Sequence, residues 1–287
     1  MKTAIITDSN SGITPEAGER MGVHVLPMPV LIGEQEYFEG VNLTQEELYA
    51  QMEAGADITT SQPSPESVLE MWDRVLKDHD EIVYIPMSSG LTGSVATARM
   101  LAEDYGGRVQ VADNHRISVT QRQSVADACA MVKAGWDAQR IREFLEKTGP
   151  ESSIYIMLET LTYLKKGGRI TPAAAALGTL LRLKPVLTIQ GEKLDAFAKA
   201  RTVKQGKDMM IKAVEHDLAS RWNDPAAEGM HLMMAHTMNY EAIQEFSEEA
   251  KALFPGKEIL IDPLPLSIAV HIGPGSLAFA VAKKFAF

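Results

Sequence analysis

Short apolar runs and helical repeats alternate along the first half of the chain. Ala4–Thr7, Glu81–Pro86 and Arg108–Ala112 have the length and composition of buried strands. Between them, a capping box at Thr44 and the proline after Ser64 each predict the start of a helix. Short strands separated by helices are typical of a parallel, doubly wound sheet. We therefore predict this architecture for the N-terminal half.

The pattern becomes less regular beyond Gly149. It predicts helices over Pro172–Leu181, Val203–Ser220 and Tyr240–Leu253, and a strand over Ile268–Ile272. Strands and helices do not alternate one for one here, which favours a mixed or antiparallel sheet with helices. We predict an α/β protein of two domains, residues 1–150 and 151–287. The first domain is parallel and doubly wound, and the second is a mixed α+β domain.

The composition is that of a globular protein with a sizeable core. The 287 residues are 45% hydrophobic and 23% charged, with a net charge of −10. This acidic balance disfavours general binding to nucleic acids or anionic membranes, but it permits one anionic ligand held by local groups. No apolar run reaches the roughly 18 residues of a membrane span, and the first residues lack the apolar core of a signal peptide. We expect a cytoplasmic protein.

Polar segments follow several of the predicted strands. Thr7–Gly12 follows the first strand, Pro86–Ser94 follows the second, and Ala112–Asn114 follows the third. Ligands of parallel sheets bind beyond the carboxyl ends of strands, so these segments are candidate binding loops. A fourth polar segment, Thr59–Pro65, precedes a helix.

The Pro86–Ser94 segment combines hydroxyls and glycines at the entry of a helix. Ser88, Ser89 and Thr92 supply hydroxyls, and helix-terminal N–H groups beside them can hold a carboxylate or a phosphate. The lysine of a phosphate-binding P-loop is absent. The alternative interpretation is an ordinary helix cap with flexible glycines. Likewise, the adjacent hydroxyls of Thr60 and Ser61 exceed what one helix cap needs, although capping alone remains possible.

Basic side chains occur in three further segments. His271 precedes a Gly-Pro-Gly turn, Arg201 ends a predicted strand, and Arg169 follows a lysine pair and two glycines. Each has a structural alternative, as a core histidine, a surface charge or a helix end. Asp8 alone more often binds neighbouring N–H groups than a metal. The seven histidines show no ligand spacing, and Cys129 is the single cysteine, so we predict no metal and no cofactor.

Taken in order, these segments resemble the DegV family, the fatty-acid-binding subunits that serve bacterial fatty acid kinase. The ordered set spans nearly the whole chain. The matching segments are Thr7–Ser9, Thr60–Pro65, Ser88–Gly93, Leu164–Ile170, Leu183–Leu187, Arg201-Thr202 and His271–Gly275.

The resemblance implies a two-domain α/β fold with a buried tunnel between the domains. It implies that the hydroxyls of Thr60 and Thr92 hold the carboxylate of a long-chain fatty acid, where Thr92 replaces the usual serine of the family. Arg201 and His271 match the basic members of the head-group network. Arg169 matches a position suited to docking the kinase, which would supply the ATP and metal sites. The supporting loop residues are Ser61, Ser88, Ser89 and Gly93.

The segment after Asp113 departs from the family pattern. Thr120 and Arg122 stand where the family commonly has glycines. Larger side chains there are expected to narrow or reshape the tunnel, and therefore to affect the acyl chain that fits.

The resulting hypothesis is a carrier that is not an enzyme and presents a fatty acid to a kinase, with transient contact at a membrane surface. Each buried methylene contributes about 0.8 kcal/mol, so an alkyl tail supplies most of the affinity. Two alternatives stay open. One is a sensor or carrier of another amphipathic carboxylic acid, and the other is a small hydrolase that uses Ser89 and His271.

Overall fold

The computed structural model describes residues 1–177 and 183–287. The chain divides into two compact units. The first contains Met1–Pro150 with Pro265–Ser267 and Phe287, and the second contains Glu151–Leu264 with Ile268–Ala286. The predicted domain ranges differ from these units only because Pro265–Ser267 and Phe287 belong to the first unit. Each unit is described by itself.

The first unit contains seven strands and six helices. Its strands are β1 (Thr3–Asp8), β2 (Val23–Leu26), β3 (Pro29–Ile32), β4 (Gln35–Phe38), β5 (Ile58–Thr60), β6 (Glu81–Ile85) and β7 (Val109–Val111). Its helices are α1 (Pro15–Met21), α2 (Gln45–Glu53), α3 (Pro65–Val75), α4 (Ser94–Ala102), α5 (Ser118–Lys133) and α6 (Ala138–Thr148).

The main sheet of this unit is parallel throughout, in the order β2-β1-β6-β7. Every residue of β1 and β6 is buried, as expected for central strands covered on both faces. Helix α3 packs through Val68, Met71, Trp72 and Val75, which recur on one face of the helix. The predicted capping box is present, because Thr44 accepts from Glu47 N–H and Glu47 accepts from Thr44 N–H. The parallel architecture predicted for this half is confirmed.

A second, antiparallel sheet in this unit has the order β4-β3-β5. The expectation that Thr59 and Thr60 lie in a loop is wrong, since they form β5 and Thr60 stands opposite Val30. Three residues with two adjacent threonines are too short to show the two-residue alternation of a strand.

The second unit contains six strands and five helices within the described residues. Its strands are β8 (Ser152–Met157), β9 (Lys184–Ile189), β10 (Asp195–Ala200), β11 (Met230–His236), β12 (Ile259–Pro263) and β13 (Leu277–Lys283). Its helices are α7 (Thr162–Lys166), α8 (Pro172–Leu177), α9 (Val203–Ser220), α10 (Tyr240–Leu253) and α11 (Leu266–Ile272), the last of which begins with two residues of the first unit. Residues 178–182 of the helix predicted over Pro172–Leu181 lie outside the described residues.

The six strands form one mixed sheet in the order β10-β9-β8-β13-β11-β12. Only β11 and β12 are parallel, and the other pairs are antiparallel. The mixed sheet predicted for this half is therefore confirmed. Helices α9 and α10 cover one core through Val214, Leu218 and Phe246.

The strand predicted over Ile268–Ile272 is wrong, because these residues belong to helix α11. The strand near this end of the chain is β13, which lies between β8 and β11 in the sheet and whose first six residues are buried. A short apolar run that is buried on all sides fits a strand or a helix equally well by periodicity. Ile268–Ile272 is such a run.

Candidate functional site

The predicted Ser88–Ser94 loop caps helix α4 in the first unit. The Thr92 hydroxyl accepts from Ser94 N–H at 3.2 Å and lies 2.9 Å from the Ser94 hydroxyl. Ser88 is buried, and its hydroxyl accepts from Gly90 N–H at 3.2 Å. Ser89 is exposed. The loop therefore turns tightly on Ser88 and leaves Thr92, which is half-buried, at the entry of a helix whose N-terminal N–H groups favour an anion.

The Thr60 segment lies directly beside this loop. Gln62 Nε2 donates to Thr97 Oγ1 of α4 at 3.1 Å. A Cβ atom added to Gly93 would stand only 3.0 Å from Gln62 Oε1, so a larger residue at 93 would force this side chain to move. The structure thus brings together the Thr60 and Thr92 segments, as the prediction requires. Thr60 is half-buried at the end of β5, and Ser61 is exposed.

Asp8 holds the Thr92 loop from the end of β1. It is fully buried, and its carboxylate accepts from Met87 N–H at 2.9 Å and from Gln121 Nε2 at 2.9 Å. Burial raises the pKa of Asp8 to about 6, against the lowering effect of these hydrogen bonds. Asp8 therefore binds neighbouring N–H groups. From the sequence, this role had stayed open beside that of a metal ligand.

A second buried carboxylate, Glu39, was not predicted. It accepts from the Ser9 hydroxyl at 2.8 Å and from Leu266 N–H at 2.5 Å. Burial, and then the nearby charge of Asp8, raise the pKa of Glu39 to about 7. No local pattern predicts this residue, because it follows a strand whose own residues are exposed or half-buried.

His115 is a further polar neighbour that the sequence reasoning missed. Its Nδ1 atom lies 3.4 Å from Ser89 Oγ and 3.4 Å from Asp113 Oδ1. Asp113 Oδ1 also accepts from Ser89 N–H at 3.2 Å. His115 adopts a positive φ of 57°, which few residues other than glycine adopt, although histidine does so more often than most. A polar loop after a predicted strand was the available signal, but the turn that brings the ring back to Ser89 has no sequence signature.

The two departures from the family pattern have specific contacts in the first unit. Thr120 is buried, and its hydroxyl donates to the Ile117 carbonyl at 2.8 Å in the first turn of α5. Arg122 is half-buried and donates to the Gly12 carbonyl at 3.2 Å. Both side chains therefore bond to backbone carbonyls, Thr120 within its own helix turn and Arg122 to a segment distant in the sequence. Their predicted effect on a tunnel stays a prediction.

His271 lies in the last turn of α11, where the backbone of Gly167 approaches its ring. A Cβ atom at position 167 would stand 2.1 Å from His271 Nδ1. Two more glycines of this segment make close contacts, because added Cβ atoms at Gly273 and Gly275 would meet Tyr163 at 2.3 Å and Glu159 at 2.7 Å. Close packing against neighbouring side chains therefore explains Gly167, Gly273 and Gly275.

The electrostatic state of His271 differs from that of a cation. Burial, and to a lesser extent the nearby Arg169 guanidinium, lower its pKa to about 4. His271 is therefore neutral near pH 7 and can donate or accept one hydrogen bond without carrying charge. The permanent positive charges of this unit's predicted site belong to Arg169 and Arg201, which are both exposed. Arg169 donates to the Gly167 carbonyl at 2.6 Å, so it is anchored to the same turn as His271.

The predicted site residues fall into two sets. Thr60 and Thr92 lie in the first unit, and Arg169, Arg201 and His271 lie in the second. Within the part of the chain that the structure describes, no group of three or more His, Cys, Asp or Glu side chains is arranged to hold a metal ion. Among the helices of the described residues, none has both the length and the apolar composition that a membrane span requires.

Comparison with known proteins identifies the family. Residues 2–284 match the family model whose description is "Uncharacterised protein, DegV family". The chain belongs to the DegV family. A DegV domain-containing protein of Deinococcus radiodurans is 37% identical over 206 residues, which are 71% of this chain and 73% of the relative.

Solved DegV structures share the whole fold. A DegV family protein from Thermus thermophilus, described as binding fatty acid, has a TM-score of 0.88 and 30% identity, covering 99% of this chain and 100% of that one. DegV from Bacillus subtilis, described as a fatty acid binding protein, has a TM-score of 0.86 and 26% identity over 99% of this chain and 100% of its own. The DegV-like fold predicted from the sequence is confirmed.

Proposed function

We propose that this DegV family protein binds a long-chain fatty acid in a buried tunnel and presents its carboxylate to a fatty acid kinase for acyl-phosphate formation. The observation that carries the proposal is the contact of the Thr60 and Thr92 segments across Gln62 and Gly93. It places two hydroxyl-bearing segments beside the N-terminus of α4. The similarity to two proteins described as fatty-acid-binding supports the choice of ligand.

The chemistry of these groups suits a carboxylate. Thr60 and Thr92 hydroxyls donate to its oxygens, and the α4 dipole favours its negative charge. Neutral His271 supplies one more hydrogen bond, and Arg201 supplies the compensating charge. A buried carboxylate without such partners would cost several kcal/mol or take up a proton. Ser61, Ser88, Ser89 and Gly93 shape the loop around the acid.

The protein acts as a carrier in this proposal, and the kinase subunit supplies the ATP and metal sites. The exposed Arg169 belongs to the surface that docks the kinase. A cytoplasmic location and transient contact with a membrane surface, where fatty acids partition, are part of the same proposal. Alkyl burial at about 0.8 kcal/mol per methylene provides the affinity, and the polar groups orient the head group.

The hydrolase alternative is less well supported by the geometry around Ser89. A serine hydrolase needs one imidazole nitrogen on the serine and the other on the acid. Here Ser89 and Asp113 both approach the same nitrogen, Nδ1 of His115. A sensor of another amphipathic acid would use the same hydroxyl loop, and the identity of the bound acid separates that candidate from the carrier.

We expect Thr92→Val to weaken fatty acid binding by roughly tenfold, because one hydrogen bond to a charged group contributes about 1.5 kcal/mol. Thr92→Ser keeps the hydroxyl and retains the affinity. Titration calorimetry with oleate measures both.

The second unit offers a matched control for this substitution. Thr160 makes the same local contacts as Thr92, since its hydroxyl accepts from Thr162 N–H at 3.1 Å and lies 2.8 Å from the Thr162 hydroxyl. Thr160→Val removes an equivalent cap and should leave oleate affinity unchanged. Equal affinities for Thr92→Val and wild type would remove Thr92 from the head-group site.

A further inference from the structure

The turn after strand β11 presents two apolar side chains to solvent. Met238 is 55% exposed and Tyr240 is 66% exposed. Met238 also adopts a positive φ of 48°. A non-glycine residue in this region costs on the order of 1 kcal/mol and is found where the surrounding structure enforces it. We call residues His236–Tyr240 the β11 turn.

Five hydrogen bonds fix the β11 turn to the segment that follows His271, one of them from Thr237 N–H to the Ser276 carbonyl at 3.2 Å. Thr237 Oγ1 donates to the Gly273 carbonyl at 2.6 Å and accepts from Ser276 N–H at 2.8 Å. Gly275 N–H donates to the Thr237 carbonyl at 2.7 Å, and Asn239 Nδ2 donates to the Gly275 carbonyl at 2.9 Å. These bonds fix the backbone on either side of Met238 and tie it to the loop that carries the family's Gly-Pro-Gly sequence.

Basic side chains lie on the neighbouring helix of the same unit. Gly273 packs against Tyr163 of α7, and the end of α7 carries the exposed residues Lys165 and Lys166, followed by Arg169. The acidic groups nearby are Glu159, which pairs with Lys184 at 2.5 Å, and the exposed Glu241. The end of α7 and the residues after it thus present three exposed basic side chains in a chain whose net charge is −10.

We infer that Met238 and Tyr240 are the apolar anchors of a docking surface for a protein whose contact face is an apolar socket with an acidic rim. This inference rests on the proposed function, in which that protein is the fatty acid kinase subunit. Interface hot spots are typically apolar or aromatic side chains surrounded by a polar rim. The acidic net charge of the chain and the small size of the apolar pair favour a protein partner over an anionic bilayer.

The left-handed backbone of Met238 allows a test that separates the side chain from the fold. Asparagine tolerates a positive φ better than methionine does, so Met238→Asn removes the apolar anchor without disturbing the turn. We expect Met238→Asn to melt at or above the wild-type temperature, and yet to bind the kinase subunit of the same organism about tenfold more weakly. Tyr240→Ala should show a similar loss of kinase binding.

The control is Met100→Asn, since Met100 is 60% exposed near the end of α4 in the first unit. It should leave kinase binding unchanged. Oleate affinity, measured separately for every variant, should equal that of wild type. Raising the salt concentration should weaken kinase binding by wild type, because the rim is charged.

Several results would overturn the inference. Wild-type kinase affinity in Met238→Asn and Tyr240→Ala would do so while leaving the fatty acid proposal intact. If these variants lost binding to vesicles containing phosphatidylglycerol but kept kinase binding, the surface would be assigned to a membrane. If these variants lost a self-association that wild type shows in sedimentation, the surface would be assigned to a second copy of the chain. Failure of wild type to bind oleate would instead contradict the proposed function itself.

Discussion

Replacing Gly167 with alanine is expected to displace the His271 imidazole and to lower kinase-dependent acyl-phosphate formation roughly thirtyfold, or about 2 kcal/mol. The added Cβ would stand 2.1 Å from His271 Nδ1 and 2.8 Å from its Cε1 atom. His271 is half-buried on α11, and the backbone of Gly167 lies against its ring, so the ring must move to accommodate the added Cβ. The substitution therefore tests the proposed head-group role of His271 while leaving that residue itself unchanged.

Initial rates with saturating oleate and ATP measure this effect, and thermal unfolding measures the packing cost of about 1–3 kcal/mol. Gly229→Ala is the matched control in the same unit, because its added Cβ would meet only Asp224 Oδ2 at 3.5 Å. A double variant, Gly167→Ala with His271→Ala, should be no slower than His271→Ala alone. If Gly167→Ala kept the wild-type rate, His271 would have no part in presenting the acid.

The free energy of unfolding is expected to respond to pH through Glu39. Its folded pKa of about 7 lies above the ordinary pKa of a glutamate, 4.5. Between these values the folded state holds more protons than the unfolded state, so this group makes the protein less stable as the pH rises from about 4.5 to 7. The shift corresponds to a loss on the order of 3 kcal/mol above pH 7.

Glu39→Gln removes this titration while its amide oxygen can still accept from Leu266 N–H. We expect the variant to be at least as stable as wild type at pH 5 and more stable by about 2–3 kcal/mol at pH 8. Urea unfolding at both pH values measures the difference. Glu36→Gln, at an exposed position on β4, is the control and should follow wild type.

Other buried groups also titrate, so the effect of Glu39 on stability must be taken from the difference between Glu39→Gln and wild type. Asp8, with a pKa of about 6, also destabilises the folded state as pH rises. His271, with a pKa lowered to about 4, acts in the opposite direction because its unfolded state binds the proton more tightly. Parallel pH profiles for wild type and Glu39→Gln would mean that Glu39 is not held as a buried acid.

Local sequence signals identified most of the fold. Thr14, Thr44, Ser64 and Asp137 each accept from an N–H in the first turn of their helices, which is why helix starts could be read from single residues. Family segments in order then identified the two-unit architecture. The signals failed for Ile268–Ile272, where burial on all sides hides the difference between a helix and a strand.

The candidate site was predictable only where chemistry is concentrated in one segment. Thr60 and Thr92 stand in runs of hydroxyls and glycines, and their segments do meet in the first unit. Glu39, His115 and Gln121 were missed because their importance arises from partners far away in sequence. Gln121, for example, donates to Asp8 across 113 positions of the chain. Neither residue type nor local spacing predicts such pairings.

The central claim is that the protein holds one long-chain fatty acid. Native mass spectrometry of the purified protein, followed by organic extraction and identification of the released lipid, tests it most directly. We predict one equivalent of a long-chain fatty acid per chain in the wild type and a reduced amount in Thr92→Val. A protein that carries no acid after purification and fails to take up added oleate would contradict the account.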